Sequence, residues 1–151
     1  MSWRLPTETD ILRKISGDEL DAIRDAALAA GQADPVAESL ATAVNVVRGY
    51  IRANPRNSMG AAGMLPEALI EPAIDWMAVP LFSRVAGMQI DPESARVTAR
   101  RQAIKLFEDV AAGKFAVEAP DDVIEDGMHH VGTPAITKPQ TNFSRPNQEG
   151  I

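Results

Sequence analysis

Apolar residues recur at helical spacings from near the start of this chain to about residue 113, and the polar residues between them carry helix start and stop signals. Thr7, with Asp10 three residues on, opens a segment holding Ile11, Leu12 and Ile15, which predicts one to two turns under a capping box. Ser16 and Glu19 repeat that spacing. Leu20, Ile23, Ala27 and Leu28 then share one helix face, and Gly31 stands where a glycine ends a helix. Asp34-Pro35 supplies an acidic N-cap with proline at the first helical position, where its missing N–H costs nothing. Val36, Leu40, Val44, Val47 and Ile51 follow at steps of four and three, beside Ala43. They predict an amphipathic helix of about five turns that ends near Asn54-Pro55. Gly49 inside it costs about 1 kcal/mol relative to alanine, so the expected reason for it is the close approach of a second helix.

Residues 54–65, NPRNSMGAAGML, keep no sustained period and read as an exposed, mobile loop. Pro66-Glu67 opens the most apolar stretch, running to Ala86-Gly87 with Leu69, Ile70, Ala73, Ile74, Met77, Leu81 and Val85, the expected centre of the core. Pro72 and Pro80 each remove an intrahelical hydrogen bond, which predicts a kink or two shorter helices. Asp91-Pro92 repeats the start signal for a helix reaching Ala112, with Ala103, Leu106, Phe107 and Val110 as its stripe and Gly113 as its stop. Phe115-Ala116-Val117 fits a brief strand. Beyond Pro120 the chain is polar and carries Pro134, Pro139 and Pro146, too few apolar groups to offset the entropy of ordering. The expected fold is all-α: a small helical bundle of about four to five helices over residues 1–117, with room for one short strand. An extended C-terminal tail, residues 118–151, is expected to be disordered or docked on a partner.

Composition sharpens this picture. The chain has 151 residues, 45% apolar but only 5% aromatic, so alanine and aliphatic side chains must build the core, which favours helices. The net charge of −6 opposes non-specific binding to nucleic acid, which needs a surplus of Lys and Arg. No cysteine is present, which removes disulfides and thiolate metal sites and fits a reducing, intracellular setting. Residues 1–15 hold Arg4, Glu8, Asp10, Arg13 and Lys14 and do not resemble a signal peptide. No run approaches the roughly 20 apolar residues of a membrane span, so a soluble protein is expected.

Catalytic material is thin. His129 and His130 are the only histidines, and neighbours in an extended segment point to opposite sides, which suits neither a triad nor one metal. Asp121, Asp122, Glu125 and Asp126 form an acidic cluster without the alternating ligands of an EF-hand, and read as a solvated charge run. Glu108 and Asp109 are helix neighbours that do not share a face. Gly60 and Gly63 lack the strand and the Gly-Lys-Ser/Thr of a phosphate loop. Arg96, Arg100 and Arg101, with Lys105, make a basic band without interleaved aromatics, flanked by Glu93, Glu108 and Asp109. A solvated face or a salt-bridged subunit contact explains it better than DNA binding. Trp3 and Trp76 read as packing residues, with Trp3 also suited to anchoring a subunit contact. No enzyme activity, metal or cofactor is expected.

The order of elements also carries a resemblance. It runs from T-E-T-D-I-L through S-G-D-E-L-D-A-I, a helix ending V-V-R-G-Y-I, a glycine-rich loop, P-E-A-L-I and an arginine-bearing helix. It closes with A-I-K-L-F-E-D-V-A-A-G-K-F-A-V. This pattern, over roughly residues 3 to 120, resembles the head–tail adaptor (connector) proteins of tailed bacteriophages, including Mu-like prophage relatives. Among its more recognisable parts are residues 106–117, L-F-E-D-V-A-A-G-K-F-A-V, a helix closing on V-A-A-G-K and a short apolar segment. The chain departs from the Mu-like pattern at Arg52-Ala53-Asn54-Pro55, where those relatives carry an Arg-Tyr pair, and in its longer tail.

The resemblance implies a non-enzymatic virion protein of the neck, made in the host bacterial cytoplasm, with about a dozen copies ringed by heterologous contacts. Such a ring would sit beneath the portal protein and above a stopper or tail-completion protein, and DNA would pass through it without sequence-specific binding. Expected interface residues are Trp3, Arg96, Arg100, Arg101, Phe115 and Val117 in the domain, and Ile124, Ile136 and Phe143 in the tail. The alternative is a small intracellular helical regulator or DNA- or protein-binding module, with a helix-turn-helix within residues 16–51. Against it, Val36, Ala37, Glu38 and Ser39 occupy the helix start where base-reading residues would sit.

Overall fold

The computed structural model describes residues 3–84 and 90–121, and the architecture is that of these residues. The chain is mainly helical, as its periodicity predicts. In order come β1 (Trp3–Arg4), α1 (Glu8–Leu12), α2 (Gly17–Ala29), α3 (Pro35–Ala53), β2 (Leu65–Pro66), α4 (Glu67–Ser83) and α5 (Ala95–Ala111). The two short strands pair antiparallel, Trp3 opposite Pro66 and Arg4 opposite Leu65, which ties the start of the chain to the entry of α4.

Local chemistry places most of these boundaries. Thr7 and Asp10 form a capping box at α1, and Ser16 and Glu19 form another at α2. Gly31 takes φ +68° just past α2, a conformation that L side chains resist, and the amide of Gln32 returns to the Ala27 carbonyl at 2.9 Å. At α3 the Asp34 carboxylate accepts from the Val36 amide at 2.9 Å, with Pro35 beginning the helix. Gly113, φ +74°, ends the last helix region, and both the Lys114 and Phe115 amides fold back to the Asp109 carbonyl.

α4 is the centre of the fold. Leu69, Ile70, Ala73, Ile74, Met77, Ala78, Leu81 and Phe82 are buried along it, and it packs against α1, α3 and α5. α3 contributes Val36, Ala43, Val44, Val47 and Ile51, and α5 contributes Ala103, Phe107 and Val110. Each fully buried Val, Leu, Ile, Met or Phe side chain stabilises the fold by roughly 1.5–3 kcal/mol, and each buried alanine by less.

Five expectations need correction. Pro72 and Pro80 do not divide α4, which runs as one element. The carbonyls they deprive of a partner belong to Ala68 and Trp76, which are exposed and half-buried, so water can satisfy them. Asp91-Pro92 does not start α5. The Asp91 carboxylate accepts from the Glu93 amide at 2.9 Å and its carbonyl from the Ser94 amide at 3.0 Å. That closes a turn, and Ser94 becomes the N-cap. Gly49 is exposed, and a Cβ there would meet nothing within 4 Å, so no helix among the described residues approaches it.

The strand expected at residues 115–117 is irregular chain, and the strands that form among the described residues are β1 and β2. Residues 54–65 are also no free loop. The Arg48 guanidinium donates to the carbonyls of Ala61 (2.8 Å), Met64 (2.7 Å) and Gly60 (3.1 Å), and Leu65 is buried. Periodicity cannot reveal this: one side chain from α3 supplies the hydrogen bonds that the loop lacks within itself. Burial, with Arg52 nearby, pulls the Arg48 guanidinium below its ordinary pKa.

Candidate interaction surface

Three places on the molecule gather groups able to meet a partner. The first is the α5 band. One Arg96 nitrogen donates to both oxygens of Glu19 at 2.7 and 2.8 Å, and its guanidinium carbon lies 4.1 Å from the centre of the Phe82 ring. Glu19 also accepts from the Ser16 amide, so one carboxylate caps α2 and ties it to α5. Hydrogen bonding from Arg96, against the opposing cost of burial, holds the Glu19 carboxyl below its ordinary pKa. The Arg100 guanidinium lies 5.6 Å from the Trp76 ring centre, with its Nε buried and without a hydrogen-bond partner among the described residues. Arg101 and Lys105 are exposed on the outer face.

The second is a polar hollow of about 330 Å³ between α1 and α4, lined by Arg4, Asp10, Arg13, Lys14, Glu67 and Glu71 among others. Arg4 donates to both oxygens of Asp10 (2.7 and 2.8 Å), which also accepts from the Thr7 amide and hydroxyl at 2.9 Å each. These bonds, Arg4 first, hold the Asp10 carboxyl far below the carboxylate range despite burial. Lys14 bridges Glu71 at 2.5 Å and Asp75 at 3.4 Å. Burial, reinforced by Glu71 and opposed by Lys14, pushes the Asp75 carboxyl up. Apart from Glu67, the charges lining this hollow are paired inside the chain, which makes it a brace between elements. Among the described residues no three His, Cys, Asp or Glu side chains gather to hold a metal.

The third is a groove of about 380 Å³ between the first turn of α4 and the segment after α5, lined by residues 66–69 and 115–118. Phe115 and Val117 are half-buried and pack on the core, while Ala116 and Glu118 are exposed. The Trp3 indole N–H donates to the Glu118 carbonyl at 2.7 Å, and Pro120 is buried beyond it. Packing therefore continues past residue 117, where the sequence analysis sets the domain boundary.

No protein-family model, curated protein or solved structure matches this chain.

The structure puts the expected interface residues to different uses. Trp3 is buried, its ring against Gly60, so it anchors the N-terminus to the rest of the chain. Arg96 is committed to Glu19 and Phe82, and Arg101 is free to meet solvent. Phe115 and Val117 come together on the groove wall. Ile124, Ile136 and Phe143 lie outside the described residues, as do His129, His130, Asp122, Glu125 and Asp126. The aromatics missing from the α5 sequence come from α4, as Trp76 and Phe82. Their apolar spacing gave no sign of this, because which α4 face meets the arginines depends on helix packing. Glu67 at the groove rim and Leu69 in its floor carry, in the sequence, only the signals of the start and core of a helix. Among the described residues no helix is long and apolar enough to cross a membrane.

Proposed function

We propose that this chain is a virion structural protein of tailed bacteriophages, a head–tail adaptor that rings the DNA exit channel between the portal and the tail, and not an enzyme. The observation that carries this reading is the closing unit, residues 106–117. There α5 stops at Gly113 and the chain turns so that Phe115 and Val117 lie beside the entry of α4. That unit holds one of the more recognisable motifs of the resemblance. A helical bundle with a long polar C-terminal sequence also suits a protein whose contacts are made with neighbours. The exposed, like-charged Arg101 and Lys105 offer cations to a neighbouring copy, and the net charge of −6 keeps passing DNA from adhering.

The regulator reading draws less support. Pro35, Val36 and Ser39 are buried at the start of α3, where a recognition helix would expose base-reading side chains. Imaging the full chain mixed with a candidate portal, by electron microscopy with rotational averaging, tests the adaptor reading. A ring of density beneath the portal that requires this chain is the expected result. A bare portal beside folded, monomeric protein would overturn it.

A further inference from the structure

The groove beside α4 has the features of an unfilled strand site. Its floor includes fully buried Leu69, and its outer wall, residues 115–118, alternates half-buried and exposed side chains with the period of an extended chain. Neither the Ala116 nor the Val117 amide has a hydrogen-bond partner among the described residues. Backbone groups left open along an extended segment are what an added strand satisfies. At the rim, exposed Glu67 makes no ion pair among the described residues. The site therefore suits an extended segment bearing a branched apolar side chain with a cation two residues away, on the same side.

The chain's own tail contains one such segment. We propose that the groove takes residues 135–138, Ala-Ile-Thr-Lys, as an added strand, with Ile136 seated in the groove and Lys138 facing Glu67. Pro134 and Pro139 bracket it, and a following proline biases Lys138 toward extended backbone, while Ile136 and Thr137 are strong strand formers. No Asp or Glu occurs from residue 127 to 148, so nothing there repels Glu67. The other apolar pair in the tail, Val123-Ile124, is flanked by Asp121, Asp122, Glu125 and Asp126 and is excluded on charge. Residues 122–134 can span up to about 45 Å, ample to return to a wall that ends just before Asp121. This proposal does not rest on the adaptor reading, whose portal-imaging test stands or falls separately.

Because the chain has no cysteine, a pair of substitutions in the full-length protein reads the contact directly. Ala116→Cys with Thr137→Cys is expected to form a disulfide on mild oxidation, whereas Ala116→Cys with Gln148→Cys is not. A bridge within one chain or between two copies places the segment in the groove equally. Adding Ile136→Asp should abolish the bridge. In the cysteine-free protein, Ile136→Asp should remove the hydrogen-exchange protection of one of the adjacent Ala116 and Val117 amides, since successive amides of an extended chain face opposite sides, with an unchanged helical circular-dichroism spectrum. Equal cross-linking by both cysteine pairs, or identical amide exchange with and without Ile136→Asp, would overturn the proposal.

Discussion

Replacing Asp10 by alanine removes a carboxylate that is only 5% exposed and accepts four hydrogen bonds, two from Arg4 and two from Thr7. The capping-box share of that loss is worth about 1 kcal/mol. The Arg4 bonds are charge-assisted, but the Arg4 side chain is 32% exposed and can rehydrate, so their share is held to about 1 kcal/mol as well. The expected destabilisation is about 2 kcal/mol, or a fall in Tm of roughly 8 °C for a domain of this size. The pH dependence gives a second reading. The folded carboxyl sits below its ordinary value, so its contribution is complete above the unfolded pKa of about 4 and fades as pH falls through and below that value. Thermal melts of wild type and Asp10→Ala should therefore differ most at pH 7 and converge toward pH 3. A gap that stays constant over that range would show that the charge is not what stabilises α1, and a gap under about 0.5 kcal/mol would refute the hydrogen-bond argument itself.

Gly60→Ala should destabilise by about 1–3 kcal/mol in urea titrations, because its Cβ would stand 2.5 Å from Cε3 of a Trp3 ring that the Glu118 carbonyl holds in place. A neutral result would mean that β1 shifts freely. Gly49→Ala should instead stabilise by about 0.5–1 kcal/mol, since the added methyl meets nothing and the helix gains propensity; a lower urea midpoint would contradict the open environment. Arg48→Met, which keeps the aliphatic stem, should make residues 54–64 the first site of limited proteolysis. Unchanged cleavage would mean that the three carbonyl bonds do not hold the loop. For Glu19→Gln, a loss of about 1–2 kcal/mol is expected at pH 7. It should shrink as pH drops below the ordinary glutamate value of about 4.3, because the folded carboxyl is held lower still; a loss that does not change with pH would contradict it.

Local signals sufficed wherever the deciding chemistry lay within a turn or two of the residue. The capping boxes at Thr7 and Ser16, the Asp34-Pro35 start and the stops at Gly31 and Gly113 each rest on contacts a few residues apart, and the structure places all of them. The apolar stripe of α4 likewise announced the core, because burial needs only a face and a period. Contacts across the chain were decided elsewhere. Arg48 fixes residues 60–64, Trp3 reaches Glu118 and closes on Gly60, and Glu19 serves Ser16 and Arg96 at once; nothing in spacing indicates these partners. The α5 arginines looked unaccompanied because their rings stand on α4. The groove, too, exists only where the entry of α4 and residues 115–118 are brought side by side. Periodicity along one chain states which faces must be covered. The relative placement of helices, set by how their side chains interlock, states what covers them.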